Sequence, residues 1–247
     1  YLYLVKNYTN YGQAVNEEII IDPTLTISGT TTELCQEVTA YTTIEVINNG
    51  VLQICQRINA TTGYVNISLG SNGNFSLFAG SAIDGVIGVA VGVGGRGGAG
   101  CSGNTCTANP GENNTGSNAT AASVNPNGGG GGGGNRPGNS DSVGGGGGAF
   151  GGVGGFGGFS AAGAKGSGGN LTGSNESLEL IMGAGGGGSS GDATPGMGGD
   201  GGAGIKINAS SGMIFINGTI NATGTPGQNG DATDNSGGGG GSGGHVI

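Results

Sequence analysis

Apolar and polar residues alternate with a period of two over six short runs in the first third of the chain, at residues 18–21, 24–28, 42–47, 51–54, 64–69 and 74–78. β-Branched residues fill these runs and Asn, Gly or Thr bounds them, which is how half-buried strands read. The turn Ile47-Asn48-Asn49-Gly50 suits a hairpin and the corner of a β-helix coil equally. A later group of short alternating strands lies at 205–208, 213–217 and 220–222. No stretch repeats its apolar residues every 3.6 positions, so the sequence predicts an all-β chain with little helix. The apolar window 78–93 is broken by Asp84 and several glycines and is too short for a membrane span, so it reads as a buried strand leading into the first glycine block.

Beyond residue 90 glycine dominates. Residues 1–90 hold 9 of the 66 glycines and the remaining 57 lie after them, concentrated at 92–100, 128–134, 144–158, 183–202 and 237–244. This divides the chain into a β-rich module at 1–90, a glycine-rich region with polar loops at 91–202, and a β segment with a terminal glycine run at 203–247. As composition alone, such blocks suit a flexible linker, because glycine loses the most backbone entropy on ordering. To be ordered they need hydrogen bonds from segment to segment. Collagen is excluded by only 6 prolines. A polyglycine II helix, three residues per turn with no internal hydrogen bonds, must instead pack side by side with others. Residues 151–165 carry that register: Val153, Phe156, Phe159 and Ala162 recur every third position and leave two bare glycine edges. The apolar edge then meets the β module or a partner subunit. Gly94-Gly95-Arg96 and Gly97-Gly98-Ala99 repeat the pattern. The expected fold class is therefore a short-strand β-helix or β-sandwich module combined with packed polyglycine II helices.

Charge changes the picture next. With 6 Lys or Arg against 15 Asp or Glu, the net charge is −9 and no basic cluster exists, which argues against nucleic acid or an anionic membrane surface as partner. Charged residues are 9% of the chain, so hydroxyls, amides or attached groups must keep the surface wet. Attached sugar is the main candidate. The acceptor tripeptide Asn-x-Ser/Thr occurs at Asn7, Asn59, Asn66, Asn74, Asn113, Asn118, Asn170, Asn175, Asn208, Asn217 and Asn221. The numbers of Asn, Ser and Thr would give about four by chance, so eleven implies an exported protein with covalent N-linked glycans. Asn59, Asn66, Asn208, Asn217 and Asn221 follow an apolar residue within alternating runs and so should point outward.

Four cysteines fit the same oxidising compartment. The favoured pairs are Cys35 with Cys55, one coil apart, and Cys101 with Cys106, closing a small loop. Neither pair has the spacing of a zinc site. His245 is the single imidazole and reads as a solvated residue near the end of the chain, which leaves no Ser/His or Cys/His relay. The carboxylate pairs Glu17 and Glu18, Glu176 and Glu179, and Asp231 and Asp234 read as solvated, with no Trp to make a sugar platform. Asp192, Asp200, Asp231 and Asp234 match no calcium-loop spacing, so no metal and no other cofactor is expected. Enzymatic activity is not expected.

The strands at 205–222, and more loosely residues 42–80, resemble the coils of filamentous haemagglutinin-like and autotransporter-type passenger chains. That resemblance implies a parallel solenoid at a cell surface. The glycine blocks and the loops between them resemble tip adhesins of tailed phages, which implies a polyglycine II sandwich with receptor-binding loops. Two functions are expected on these grounds. The first is a structural subunit of an extracellular, N-glycosylated filament or cell-surface fibre, a homopolymer joined by strands or glycine helices. The second is a receptor-binding adhesin using the loops at 102–127 and 170–180, with a surface polysaccharide or receptor as partner. Tyr1, Leu2, Tyr3, Leu4 and Val5 form an apolar strand without an evident local partner and so read as an assembly strand for a neighbouring subunit's sheet.

Overall fold

The structure, a computed structural model, describes residues 2–5, 18–21, 24–34, 36–39, 41–55, 64–87, 91–92, 94–103, 106–112, 129–130, 133, 143–150, 153–157, 165–172, 180–191, 194–230 and 236–247. Among them there is no helix, as the absence of a 3.6-residue period predicts. The strands are β1 (Leu2–Val5), β2 (Glu18–Ile21), β3 (Thr24–Ser28), β4 (Thr31–Leu34), β5 (Gln36–Val38), β6 (Thr43–Ile47), β7 (Val51–Ile54), β8 (Tyr64–Leu69), β9 (Asn74–Leu77), β10 (Ala82–Asp84), β11 (Val86–Ile87), β12 (Val91–Gly92), β13 (Cys101–Ser102), β14 (Ser190–Gly191), β15 (Gly204–Ala209), β16 (Ile214–Ile216) and β17 (Thr219–Asn221).

Three parallel sheets hold most of them, in the orders β16-β9-β6-β3, β17-β10-β7-β4 and β15-β8-β5. The chain visits these sheets in rotation. β3, β4 and β5 supply the first layer of each, β6, β7 and β8 the second, and β9 and β10 begin the third. The described residues between 85 and 203 lie outside these three sheets, and β15 completes the third layer on β8, with Ile205 opposite Val65 and Ile207 opposite Ile67. β16 and β17 start a fourth layer, and Val246 bridges to Ile205 in parallel to close it. The two glycine-rich parts of the chain therefore follow β10 and β17, the second-sheet strands of successive layers, and precede the third-sheet positions of β15 and Val246.

Alternation decides which side of each strand is buried. Ile44 and Val46 of β6, Leu52 and Ile54 of β7, Val65 and Ile67 of β8, Phe75 and Leu77 of β9, Ile83 of β10 and Ile205 of β15 are fully buried, and the residues between them are not. Aligned neighbours stack in columns, such as Leu25, Ile44 and Phe75, or Ile27, Val46 and Leu77. Each such buried side chain contributes about 1.5–3 kcal/mol relative to exposure. The corners are fixed by backbone geometry. Asn48 and Asn49 hold left-handed φ values of 51° and 61°, a conformation Asn tolerates better than most residues. Gly50 packs so closely on the carbonyls of Ile27 and Ile47 that a Cβ would collide with both. β6 and β7 lie in different sheets, so this turn is a corner and not a hairpin.

Two expectations change. β1 does have a local partner, pairing antiparallel with β2 from Leu2 opposite Ile21 to Val5 opposite Glu18. The ground for reading Leu2, Tyr3, Leu4 and Val5 as an assembly strand is thereby removed, and Tyr1 lies outside the described residues. The apolar window after Phe78 is not one strand but β10 followed by the small antiparallel pair β11 and β12, because Gly85 lets the chain turn against Ala203 and Asn221.

Candidate functional site: the glycine array and the outward asparagines

Glycine blocks that carry no side chains must satisfy their backbone groups elsewhere, and the segment 183–190 shows how. The N–H groups of Gly183, Gly186 and Ser189 donate to the carbonyls of Gly202, Gly199 and Gly196, at 2.8, 2.8 and 2.9 Å. Those of Gly185 and Gly188 donate to Glu112 and Asn109, and those of Gly187 and Ser190 to Gly146 and Val143. The carbonyls of Gly183, Gly186 and Ser189 accept from Gly95, Gly98 and Cys101, and those of Gly185 and Gly188 from Gly130 and Gly133. The carbonyls of Ala184 and Gly187 accept from Ser242 and Gly239. Every third residue thus addresses the same neighbour, and neighbours lie all round the segment. Residues 182–191 are all buried. A Cβ at Gly185, Gly186 or Gly188 would run into the carbonyls of Arg96, Gly239 and Ala99 respectively, so only glycine permits this approach.

The three-residue register places the few side chains. Arg96 and Ala99 are exposed while Gly94, Gly95 and Gly98 are buried. Val153 and Phe156 are 77% and 68% exposed, so they share an outward edge as the register predicts, and these two side chains are not packed against the β sheets. The Lys165 ammonium sits 4.9 Å from the Phe156 ring centre, a cation–π contact. Phe159 and Ala162 lie outside the described residues.

One polar cluster pins the array, and sequence reasoning missed most of it. Glu112 is 5% exposed. Its Oε2 accepts the Arg96 backbone N–H at 3.0 Å, and its Oε1 accepts from Nε of Arg96 at 2.8 Å and from a terminal guanidinium nitrogen at 2.5 Å. Asp200 accepts the Gly97 N–H at 2.8 Å. Burial pushes the Asp200 carboxyl above its ordinary value, while hydrogen bonds from the Gly97 and Gly92 backbone oppose that shift. Asp200 thus fastens two glycine segments. Asp192, Asp231 and Asp234 lie outside the described residues. The signal available in the sequence was the isolation of Arg96 and Glu112 as lone charges within or beside glycine runs. Ser and Thr hydroxyls act similarly: Ser242 Oγ accepts the Ala184 N–H at 2.8 Å, and Ser189 Oγ donates to the Gly196 carbonyl.

The sequence-predicted acceptors divide by position. Asn170, Asn208 and Asn217 are exposed. Asn66, Asn74 and Asn221 are half-buried on the outer faces of their strands, spread over all three sheets with Asn208 and Asn217. Asn74 accepts the Met213 N–H through Oδ1. Asn221 donates to Asp84 at 3.0 Å and accepts the Thr223 hydroxyl at 2.7 Å. Asn7, Asn59, Asn113, Asn118 and Asn175 lie outside the described residues.

Cys101 and Cys106 form a disulfide, with Cα atoms 6.0 Å apart. Cys55 is buried and disulfide-bonded, and Cys35 lies outside the described residues. His245 is 7% exposed, not solvated as expected. Its carbonyl accepts the Ile205 N–H, and its ring lies 5.4 Å from that of Phe150, because the chain re-enters a sheet there. Glu17, Glu176, Glu179, Asp231 and Asp234 lie outside the described residues, and of the carboxylate pairs only Glu18 is placed, on β2. No helix among the described residues is long and apolar enough to cross a membrane. No protein family matches the chain, and neither does any curated protein or solved structure.

Proposed function

We propose that the three parallel sheets are the walls of a β-helix, that the glycine segments are packed polyglycine II helices, and that together they form a structural subunit of an extracellular, N-glycosylated filament or surface fibre. The observation that carries this reading is the array around 183–190, where backbone hydrogen bonds repeat every three residues and reach neighbours on all sides. Such an array is stiff and offers no pocket chemistry, since its interior is backbone. Its many hydrogen bonds have geometry near 2.8–3.0 Å and close glycine packing, which offsets the entropy lost in ordering so much glycine. The passage of the chain through three sheets in rotation supports the β-helix, because antiparallel hairpins of a sandwich would pair β6 with β7.

The role is mechanical rather than catalytic. Outward Asn residues on each sheet support a sugar coat in place of charge, and the disulfide fits an oxidising compartment. Subunits join through strand edges or glycine segments, without recourse to β1. Electron cryomicroscopy of native material, combined with glycopeptide mass spectrometry, tests the reading. A repeating assembly with sugar at most acceptor sites supports it, whereas isolated particles without sugar overturn it. The outward edge of Val153 and Phe156 favours one second reading, an adhesin that presents this apolar edge and its flanking loops to a receptor.

A further inference from the structure

The glycine array carries an apolar edge that the described residues leave largely uncovered. Val153 and Phe156, one helical turn apart, are 77% and 68% exposed, and Leu171 on the neighbouring segment is 57% exposed. Gly155, between Val153 and Phe156, is exposed as well, and a Cβ on it would meet no atom within 4 Å, so the floor of the edge is bare backbone. The Lys165 ammonium lies 4.9 Å from the Phe156 ring centre, yet most of that residue stays open. The same packing brings an acceptor tripeptide to this edge. The Gly154 N–H donates to the Gly169 carbonyl at 3.0 Å and the Gly157 N–H to the Gly166 carbonyl at 2.9 Å, so the two segments run antiparallel. One residue further in that register, Asn170 stands opposite Val153. Asn170 is exposed and opens the tripeptide Asn170-Leu171-Thr172. Thr172 Oγ1 donates to the Ala149 carbonyl at 3.1 Å, which ties the tripeptide to the strand of glycines leading into the edge.

We propose that the glycan on Asn170 lies back along this edge, its sugar rings covering Val153, Gly155 and Phe156. The proposal rests on the N-glycosylated reading above, and it takes this edge away from the adhesin reading. Three observations select an attached sugar as the occupant. The first is reach. Val153 stands at the attachment point and Phe156 lies three residues on, about 9 Å in a threefold extended helix, which a short oligosaccharide spans. The second is chemistry. A pyranose ring presents a face of C–H groups that suits the negative face of an aromatic ring and the aliphatic Val153 and Leu171, while its hydroxyls stay in water or meet exposed backbone at Gly155. The third is charge. Lys165 is the only charged residue among the described residues of 143–172, so ionised groups do not keep this patch wet, and attached sugar does. Covalent attachment holds the sugar at high effective concentration, so weak contacts suffice.

Glycosylated protein from its native cells, compared with Asn170→Gln and with Asn208→Gln as control, tests the cover through the fluorescence of an apolar dye, bis-ANS, with glycopeptide mass spectrometry on each. The expected result is sugar at Asn170 in the parent and a rise in dye fluorescence in Asn170→Gln that Asn208→Gln lacks, with far-ultraviolet spectra unchanged. Adding Val153→Ser and Phe156→Ser to Asn170→Gln should abolish the rise, which separates an uncovered edge from misfolding. Equal dye binding by the parent and Asn170→Gln overturns the proposal, and so does a rise that persists in the triple variant. Sugar at Asn208 and Asn217 without sugar at Asn170 overturns it and leaves the glycosylated reading standing, whereas sugar at none of the three overturns both. Cross-linking of copy to copy through Val153→Cys in the glycosylated protein assigns the edge to a second copy and overturns it too.

Discussion

Gly186→Ala should unfold the glycine array in a way that Gly155→Ala does not. Gly186 is buried, donates to the Gly199 carbonyl and accepts from the Gly98 N–H, both at 2.8 Å. A Cβ at this position collides with the carbonyl of Gly239 and lies 2.7 Å from the Gly240 oxygen. To reach ordinary contact, the segments 183–190 and 237–244 must separate by about 1 Å. That displacement strains the two bonds of Gly186 and the two that Gly239 makes with Gly187 and Gly199. Four bonds at about 0.5–1.5 kcal/mol each, with about 1–3 kcal/mol for overpacking, give a cost of roughly 2–8 kcal/mol after a small gain from stiffening the unfolded chain. For a chain of this size each kcal/mol moves Tm by about 2–4 °C, so a fall of at least about 5 °C is expected. A Cβ on Gly155 would meet nothing within 4 Å, and its φ is not positive, so Ala there should leave Tm unchanged or raise it slightly. Calorimetry of both variants beside the parent decides the matter. Equal melting of the two variants would refute the claim that close backbone packing around 183–190 holds the array together.

Asp200→Asn keeps the Oδ1 acceptor for Gly97 while removing a half-buried carboxylate charge, and should raise stability at neutral pH relative to the parent. Because burial raises the folded-state pKa, ionised Asp200 costs stability above that value and nothing below the unfolded one. The advantage of Asn should therefore fade as pH falls through the carboxylate range, which a Tm series against pH will reveal. Replacing both Cys101 and Cys106 by Ser opens a loop of sequence separation 5, and should cost roughly 2 kcal/mol in chemical denaturation. Peptide mapping of native material should find sugar at Asn170, Asn208 and Asn217, and Gln at these exposed sites should shift stability by no more than about 0.5 kcal/mol.

The sequence by itself determined where strands form and what the glycine segments need. The runs at 24–28, 51–54 and 64–69 became β3, β7 and β8 with their own boundaries, because alternation directly encodes which face of a strand is buried. The threefold register of Val153 and Phe156, and of Arg96 and Ala99, was equally legible, since a repeat of three needs only side-chain spacing to be seen. β4 and β5 were missed because Thr31–Leu34 and Gln36–Val38 are too short and too polar to alternate clearly. Tertiary structure alone decided the partners. The pairing of β15 with β8 joins residues that the whole glycine region separates in sequence. The glycines within 183–190 do not mark which segment their N–H groups will meet, because glycine has no side chain to discriminate among neighbours. Burial of His245 and Glu112, and the partner of β1, likewise depend on where distant segments return. Local pattern encodes orientation toward a core, whereas pairing among chemically identical backbones is settled only when the entire chain is packed.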